Sequence, residues 1–242
     1  MRRAKKKLNK RWASDVIVDL LHAYKLPHAA LNPGASYRGL HDSIVNYGRN
    51  RPTMMLCQHE ETAVQIAHGY AKATGKPMIA ILHNLVGLLH ANMAIYYAYI
   101  DRAPVFIVGA TGPMDETKRR PRIDWIHTAQ GQGEAVRQYT KWDYQPHTID
   151  GVPEAFARAY GVMMSEPRGP IYMCYDAWLQ EQPLAHEVDL PPAPLRRPRA
   201  EASPRDGASA PASTRRTPCR WGPAAASSSR RRRARRIRAR RR

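Results

Sequence analysis

The strongest constraint in this sequence is an alternation. Unbroken apolar runs of strand length, His28–Leu31, Thr53–Cys57, Met78–Leu82, Val105–Val108 and Ile171–Tyr175, are separated by segments with helical signals. Ser14 caps an expected helix whose apolar face is Val16, Ile17, Leu20, Leu21 and Tyr24, and a second helix covers Tyr37–Tyr47. The clearest helix is Glu60–Thr74, with a stripe of Ala63, Ile66, Ala67, Tyr70 and Ala71 and with Gly75 where a C-terminal cap belongs. Asn84–Tyr99 reads as a long buried helix, and another falls near Gly133–Tyr139. Pro153 opens a helix at its first position, with Phe156, Ala159, Tyr160 and Met163 inward. Helical crossovers between successive strands require parallel pairing and right-handed connections. Continuous apolar strands, rather than two-period stripes, mean that both sheet faces are covered. The expectation is an α/β domain: a parallel sheet with helices on both faces.

Charge sets the domain limits. A net charge of +19 suggests a nucleic-acid or anionic-membrane partner until its distribution is read. Residues 1–11 contribute +7 and residues 195–242 contribute +15, which leaves −3 for residues 12–194. We read a basic leader over 1–12, a globular domain over 13–185 and a Pro/Ala/Arg-rich tail over 186–242. After Leu195 the only branched aliphatic residue is Ile237, so the tail is expected to be disordered. Its residues are those of GC-rich codons and Lys is absent after Lys141, which points to a frameshifted, out-of-frame read. The alternative is an arginine-rich arm for RNA or DNA, through Arg230–Arg233 and Arg235–Arg242, although Trp221 is its only aromatic residue. Cys57, Cys174 and Cys219 are odd in number and scattered; they imply no disulfide framework and fit a reducing, cytoplasmic setting. His83, Asn84, His90, Asn92, Asp101 and Arg102 interrupt the apolar stretch Met78–Ala110, so no membrane span is expected.

In open parallel sheets, ligands bind beyond the carboxyl ends of the strands. That rule selects Asn32-Pro33-Gly34 after the first strand, His59-Glu60 after the second, His83-Asn84 after the third and Thr111-Gly112 after the fourth. Taken singly, these residues are bland. A Glu in a first helical turn complements the helix dipole, and a histidine after a strand is commonly a hydrogen-bonded rim residue. His59-Glu60-Glu61-Thr62-Ala63 lacks the second His of a zinc-protease motif, His83 and His90 have no third ligand, and no metal site is expected.

Taken together, they match a pattern. Gln58-His59-Glu60-Glu61-Thr62-Ala63 followed by Gly69-Tyr70-Ala71-Lys72-Ala73-Thr74-Gly75-Lys76-Pro77 resembles the N-terminal, pyrimidine-binding domain of thiamine-diphosphate-dependent enzymes of the acetolactate synthase kind. Asn32-Pro33-Gly34, Asp101-Arg102-Ala103-Pro104-Val105 and Pro167-Arg168-Gly169-Pro170 extend the resemblance over roughly Ser14 to Asp176. Leu82-His83-Asn84 is more similar to the benzoylformate decarboxylase branch. That branch has a catalytic His at this place and a Ser where Ala35 stands; Ser36 substitutes if the loop slips by one. The resemblance implies thiamine diphosphate as cofactor and a small 2-oxo acid as substrate of a decarboxylase or carboligase. It casts Glu60 as the glutamate on N1′ of the aminopyrimidine and His83 as a second catalytic group. Asn32, Pro33, Gly34, Glu60 and Asn84 would contact the cofactor. It further implies a homodimer, or pairing with a separate diphosphate-domain chain as half of a split enzyme. The Gly-Asp-Gly motif that holds Mg²⁺ and the diphosphate does not occur in 177–242, so the chain alone is expected to be inactive.

Overall fold

The computed structural model describes residues 12–192. Residues 1–11 of the expected leader and 193–242 of the expected tail lie outside the described residues, while Val188, within the expected tail, is buried in the core. The elements run α1 (Ala13–Ala23), β1 (His28–Leu31), α2 (Arg38–Asn46), β2 (Thr53–Leu56), α3 (Glu60–Thr74), β3 (Met78–Ile81), α4 (Leu85–Ile100) and β4 (Val105–Thr111). After these come α5 (Ile123–His127), β5 (Asp143–Tyr144), α6 (Val152–Met164), β6 (Ile171–Asp176) and α7 (Ala177–Glu181). All strand pairs are parallel, in the order β2-β1-β3-β4-β6-β5.

Strand residues alternate between the faces. Ile79 and Ile81 join Phe106, Val108, Met173 and Tyr175 under α1, α2, α6 and α7. Met78 and Ala80 join Val105, Ile107, Tyr172 and Cys174 under α3 and α4. Connections that step toward β2 or back from β5 carry α2 and α6 on the first face. Those that step the other way carry α3 and α4 on the second. A constant right hand requires that assignment, since reversing the direction of travel reverses the face. The direction reverses at β1, so the crevice between the carboxyl ends of β1 and β3 is the topological switch point.

Several details differ from the sequence expectation. Ser14 does not cap α1. It lies inside the helix, its hydroxyl 2.7 Å from that of Ser43, which donates to Asp15 Oδ1 at 2.6 Å and ties α1 to α2. Val64 and His68, not Ile66, complete the buried stripe of α3. Gly133–Tyr139 is two 3₁₀ turns, Gln132–Ala135 and Arg137–Tyr139, because the N–H groups of Val136 and Tyr139 reach back only three residues. β4 continues to Thr111, since Gly109 leaves room for Tyr172, whose hydroxyl would lie 2.0 Å from a Cβ there. Finally, α4 is buried on one side only. Gly87, Leu88, Ala91, Ala94, Ile95 and Ala98 face the sheet, whereas Val86, Leu89, Met93, Tyr96, Tyr97 and Ile100 form a second apolar stripe that is 41–54% exposed. Among the described residues no helix is long and apolar enough to cross a membrane.

Candidate functional site

The switch point gathers the loop residues that the sequence selected. Asn32-Pro33-Gly34 leaves β1 and turns into a 3₁₀ turn, Ala35–Tyr37. Two buried side chains hold this loop. Tyr37 donates its phenolic hydrogen to the Asn32 carbonyl. Gln180 of α7, 1% exposed, donates to the carbonyls of Ser36 at 3.2 Å and Tyr175 at 3.1 Å and accepts from the Leu40 N–H. Burial, and next the negative charge of Glu60, push the Tyr37 phenol up, which keeps it a neutral donor beside the carboxylate.

Glu60 is the first residue of α3, where the helix N-terminus favours a carboxylate. The His59 imidazole caps that helix, accepting the Glu61 N–H at 3.2 Å. The Glu60 side chain is nearly buried, and His90 Nδ1 approaches its Oε2 at 3.6 Å. Among the described residues no N–H or O–H donates to it within hydrogen-bond distance. Its other oxygen lies against Gly87: a Cβ there would stand 2.9 Å from Glu60 Oε1 and 3.0 Å from His83 Cβ. Glu60 and His83 therefore flank one point on α4.

His83 is half-buried, with Nδ1 2.8 Å from the Ser36 hydroxyl. Ser36, rather than Ala35, thus meets the histidine. Gly34 packs so closely that a Cβ would fall 2.5 Å from that nitrogen. Burial, and next the nearby His127, hold the imidazole below its ordinary value, against the opposing pull of Glu60. Asn84 is fully buried. Its Oδ1 caps α4 by accepting the Val86 N–H at 3.3 Å, and its Nδ2 has no partner among the described residues.

Ser36 stands where the family resemblance offered it as a substitute for Ala35, whereas Gln180 and His127 were not among the residues expected from the sequence. Each acts across chain separations that local pattern does not encode. His59, Glu60 and His90 have ligand-type atoms within 4.8 Å of one another. The two rings, however, stack 13° from parallel, and His59 Nδ1 is committed to its cap, so their lone pairs do not converge on one ion. A cavity of about 690 Å³ lies elsewhere, between α1, α2 and α7, and none of the predicted site residues line it.

The fold and site define a doubly wound parallel α/β domain that presents a sheltered carboxylate and a neutral imidazole at its switch point. The model of the thiamine pyrophosphate enzyme N-terminal TPP binding domain matches residues 11–137, more than half of the chain, and the chain belongs to that family. The coenzyme of that family is thiamine diphosphate. A protein named probable 2-ketoarginine decarboxylase from Pseudomonas aeruginosa is 27% identical over 72% of this chain and 30% of its own length. The acetolactate synthase large subunit of Lactococcus lactis is 29% identical over 57% of this chain and 23% of its own. Benzoylformate decarboxylase from Polynucleobacter necessarius superposes with a TM-score of 0.62 at 26% identity, covering 75% of this chain and 32% of that one. A structure from Mycobacterium smegmatis, described as a thiamin diphosphate-dependent enzyme, gives 0.66 at 25% identity, covering 76% and 34%. The chain spans about a third or less of the length of these relatives.

Proposed function

We propose that this chain supplies the pyrimidine-facing half of a thiamine-diphosphate site in a 2-oxo acid decarboxylase or carboligase. Glu60 holds the ring nitrogen N1′, and His83 handles a proton beside it. The observation that carries this reading is the Glu60 carboxylate itself, nearly buried at the switch point with no N–H or O–H donating to it. A nearly buried carboxylate whose nearest cationic partner is His90 Nδ1 at 3.6 Å keeps an acceptor oxygen for a ligand's N–H, and a protonated or amino-bearing pyrimidine edge brings one. The bound coenzyme supplies the electron sink. Glu60 takes and returns one proton at its carboxylate. The loop Asn32-Pro33-Gly34, braced by Tyr37 and Gln180, sets the floor of the site. Asn84 contributes by fixing the first turn of α4 on which Gly87 sits.

The other half of the site comes from a diphosphate- and Mg²⁺-binding domain that these residues do not include. It completes the site at the rim where Glu60 and His83 stand, and we take the assembly to be a dimer. Cys57 and Cys174 are free, buried thiols, in keeping with a reducing compartment such as the cytoplasm.

Calorimetric titration of thiamine diphosphate into the chain tests the assignment. Glu60→Gln is expected to weaken binding about tenfold or more, since a hydrogen bond to a charged group contributes about 1.5–3 kcal/mol. Equal affinity of the folded variant would remove Glu60 from the site. As a half site, the chain should exchange the coenzyme C2 proton at the uncatalysed rate. Acceleration that is abolished by Glu60→Gln would show instead that the chain is sufficient alone.

A further inference from the structure

The 112–128 segment folds back over the rim and is built to hold one side chain there. Asp124, 2% exposed, is held by Arg120 through Nη2 at 2.8 Å and through its backbone N–H at 2.7 Å. Thr128 donates to the Asp124 carbonyl, and its Oγ1 lies 2.2 Å from where a Cβ on Gly112 would be, locking α5 against the end of β4. The last residue of α5 is His127, whose ring centre lies 5.4 Å from that of His83.

The hydrogen bonds restrict where protons can sit. His127 Nδ1 is 2.9 Å from the Ile123 carbonyl, which only accepts, so Nδ1 carries a hydrogen and Nε2 has the open lone pair. The hydroxyl oxygen of Ser36 can accept the Nδ1 hydrogen of His83, and in that tautomer Nε2 is the nitrogen of the ring that is open to a proton.

We propose that His83 and His127 act as one unit that carries a single extra proton, with His127 as the positioning residue that keeps His83 neutral until the proton is passed to it. Two imidazolium charges at this separation repel, so protonating one ring opposes protonating the other. The lowered proton affinity of His83 agrees, with His127 its second cause after burial. The charged group facing His83 from the opposite side is Glu60 of α3, itself flanked by His90 and Tyr37. One turn before His127, Asp124 is neutralised by Arg120 and more distantly by Arg38. The step is a proton transfer. A proton taken from solvent at His127 Nε2 leaves that nitrogen and arrives at His83 Nε2, the positive charge moving with it and no other bond changing. The role of this proton in catalysis rests on the proposed function; the pairing itself does not.

Nitrogen-15 NMR of the histidine rings in the full chain, without coenzyme, tests the pair. His127→Gln removes a charge, and the His83 titration midpoint should move up toward the ordinary histidine value. His127→Lys makes the charge permanent, and the midpoint should move down below that of the parent. Ser36→Ala should alter the tautomer balance of His83 while the dependence on residue 127 persists. A His83 midpoint that stays put in both His127 variants, with the amide spectrum intact, overturns the proposal, as does movement in the same direction in both. If a variant loses its fold, the parent chain still decides: the two rings must respond together across each titration step, and independent single-step curves refute the coupling. Loss of coenzyme affinity in the calorimetric test leaves this result untouched, so the two readings fail separately.

Discussion

At Gly87 a single hydrogen atom lets the side chains of Glu60 and His83 converge. A Cβ would press on Glu60 Oε1 at 2.9 Å and on His83 at 3.0 Å. Alanine is otherwise the better helix residue, by about 1 kcal/mol. Stability and binding should therefore part company. Gly87→Ala is expected to hold or raise the melting temperature while weakening thiamine diphosphate binding roughly tenfold, about 1.4 kcal/mol. Thermal melts and calorimetry on one preparation check this; unchanged affinity would mean that the carboxylate is free to sit elsewhere. His83 carries a pH signature of its own. Its folded-state proton affinity is lowered, so as pH falls the unfolded chain takes up this proton first. The contribution is fully present above the ordinary histidine value of about 6.5 and is lost as pH falls from there through the lowered folded value. Urea unfolding at a series of pH values should show a shallower acid loss of stability in His83→Gln than in the parent.

On the scale of elements, α6 shows what holds the first face of the sheet. Its Phe156 is fully buried, stacked on Phe106 of β4 with ring centres 4.6 Å apart and set edge-on to Tyr24 at 5.1 Å. Truncating such a residue removes its transfer energy and leaves a cavity, so Phe156→Ala should cost about 3–5 kcal/mol in urea unfolding. The contact lies across the sheet from Glu60, so coenzyme affinity measured below the unfolding transition should not change. The helix face that includes Phe156 was legible in the sequence, as were the bounds of β1 and α3. Long amphipathic or wholly apolar segments announce themselves because burial and periodicity act over many residues. The short elements did not. β5 is two residues long and exists only because it pairs with β6. α5 depends on the Arg120–Asp124 pair, and α7 on Asp176 accepting the Leu179 N–H at 2.8 Å. The Asp176 cap before Ala-Trp-Leu was a readable signal; the five-residue length masked it.

For the whole molecule, the candidate site was legible as single loops and only partly as an arrangement. Glu60, His83 and Asn32–Gly34 follow from the strand-end rule, but Ser36, Gln180 and His127 become partners only through chain reversals that periodicity cannot place. The same holds for α4, whose largely apolar sequence reads as a buried helix. Folding this chain satisfies one face and leaves Val86, Leu89, Met93, Tyr96, Tyr97 and Ile100 in water at helical spacing. An apolar stripe of that kind marks an interface. His90, which projects from this part of α4 at 60% side-chain exposure, touches Glu60. Covering the stripe would thus seal the carboxylate from solvent in the same event, and we expect a second copy to cover it. The chain should show concentration-dependent dimerisation by sedimentation, and Leu89→Glu with Met93→Glu should shift it to monomer with an unchanged circular dichroism spectrum. Because the acidic pair stands on the exposed side, a drop in thermal stability of the monomeric variant below that of diluted parent would point to a fault in the core and not to a lost interface. A parent chain that stays monomeric at every concentration would assign the stripe to a different chain, the one that brings the diphosphate-binding half.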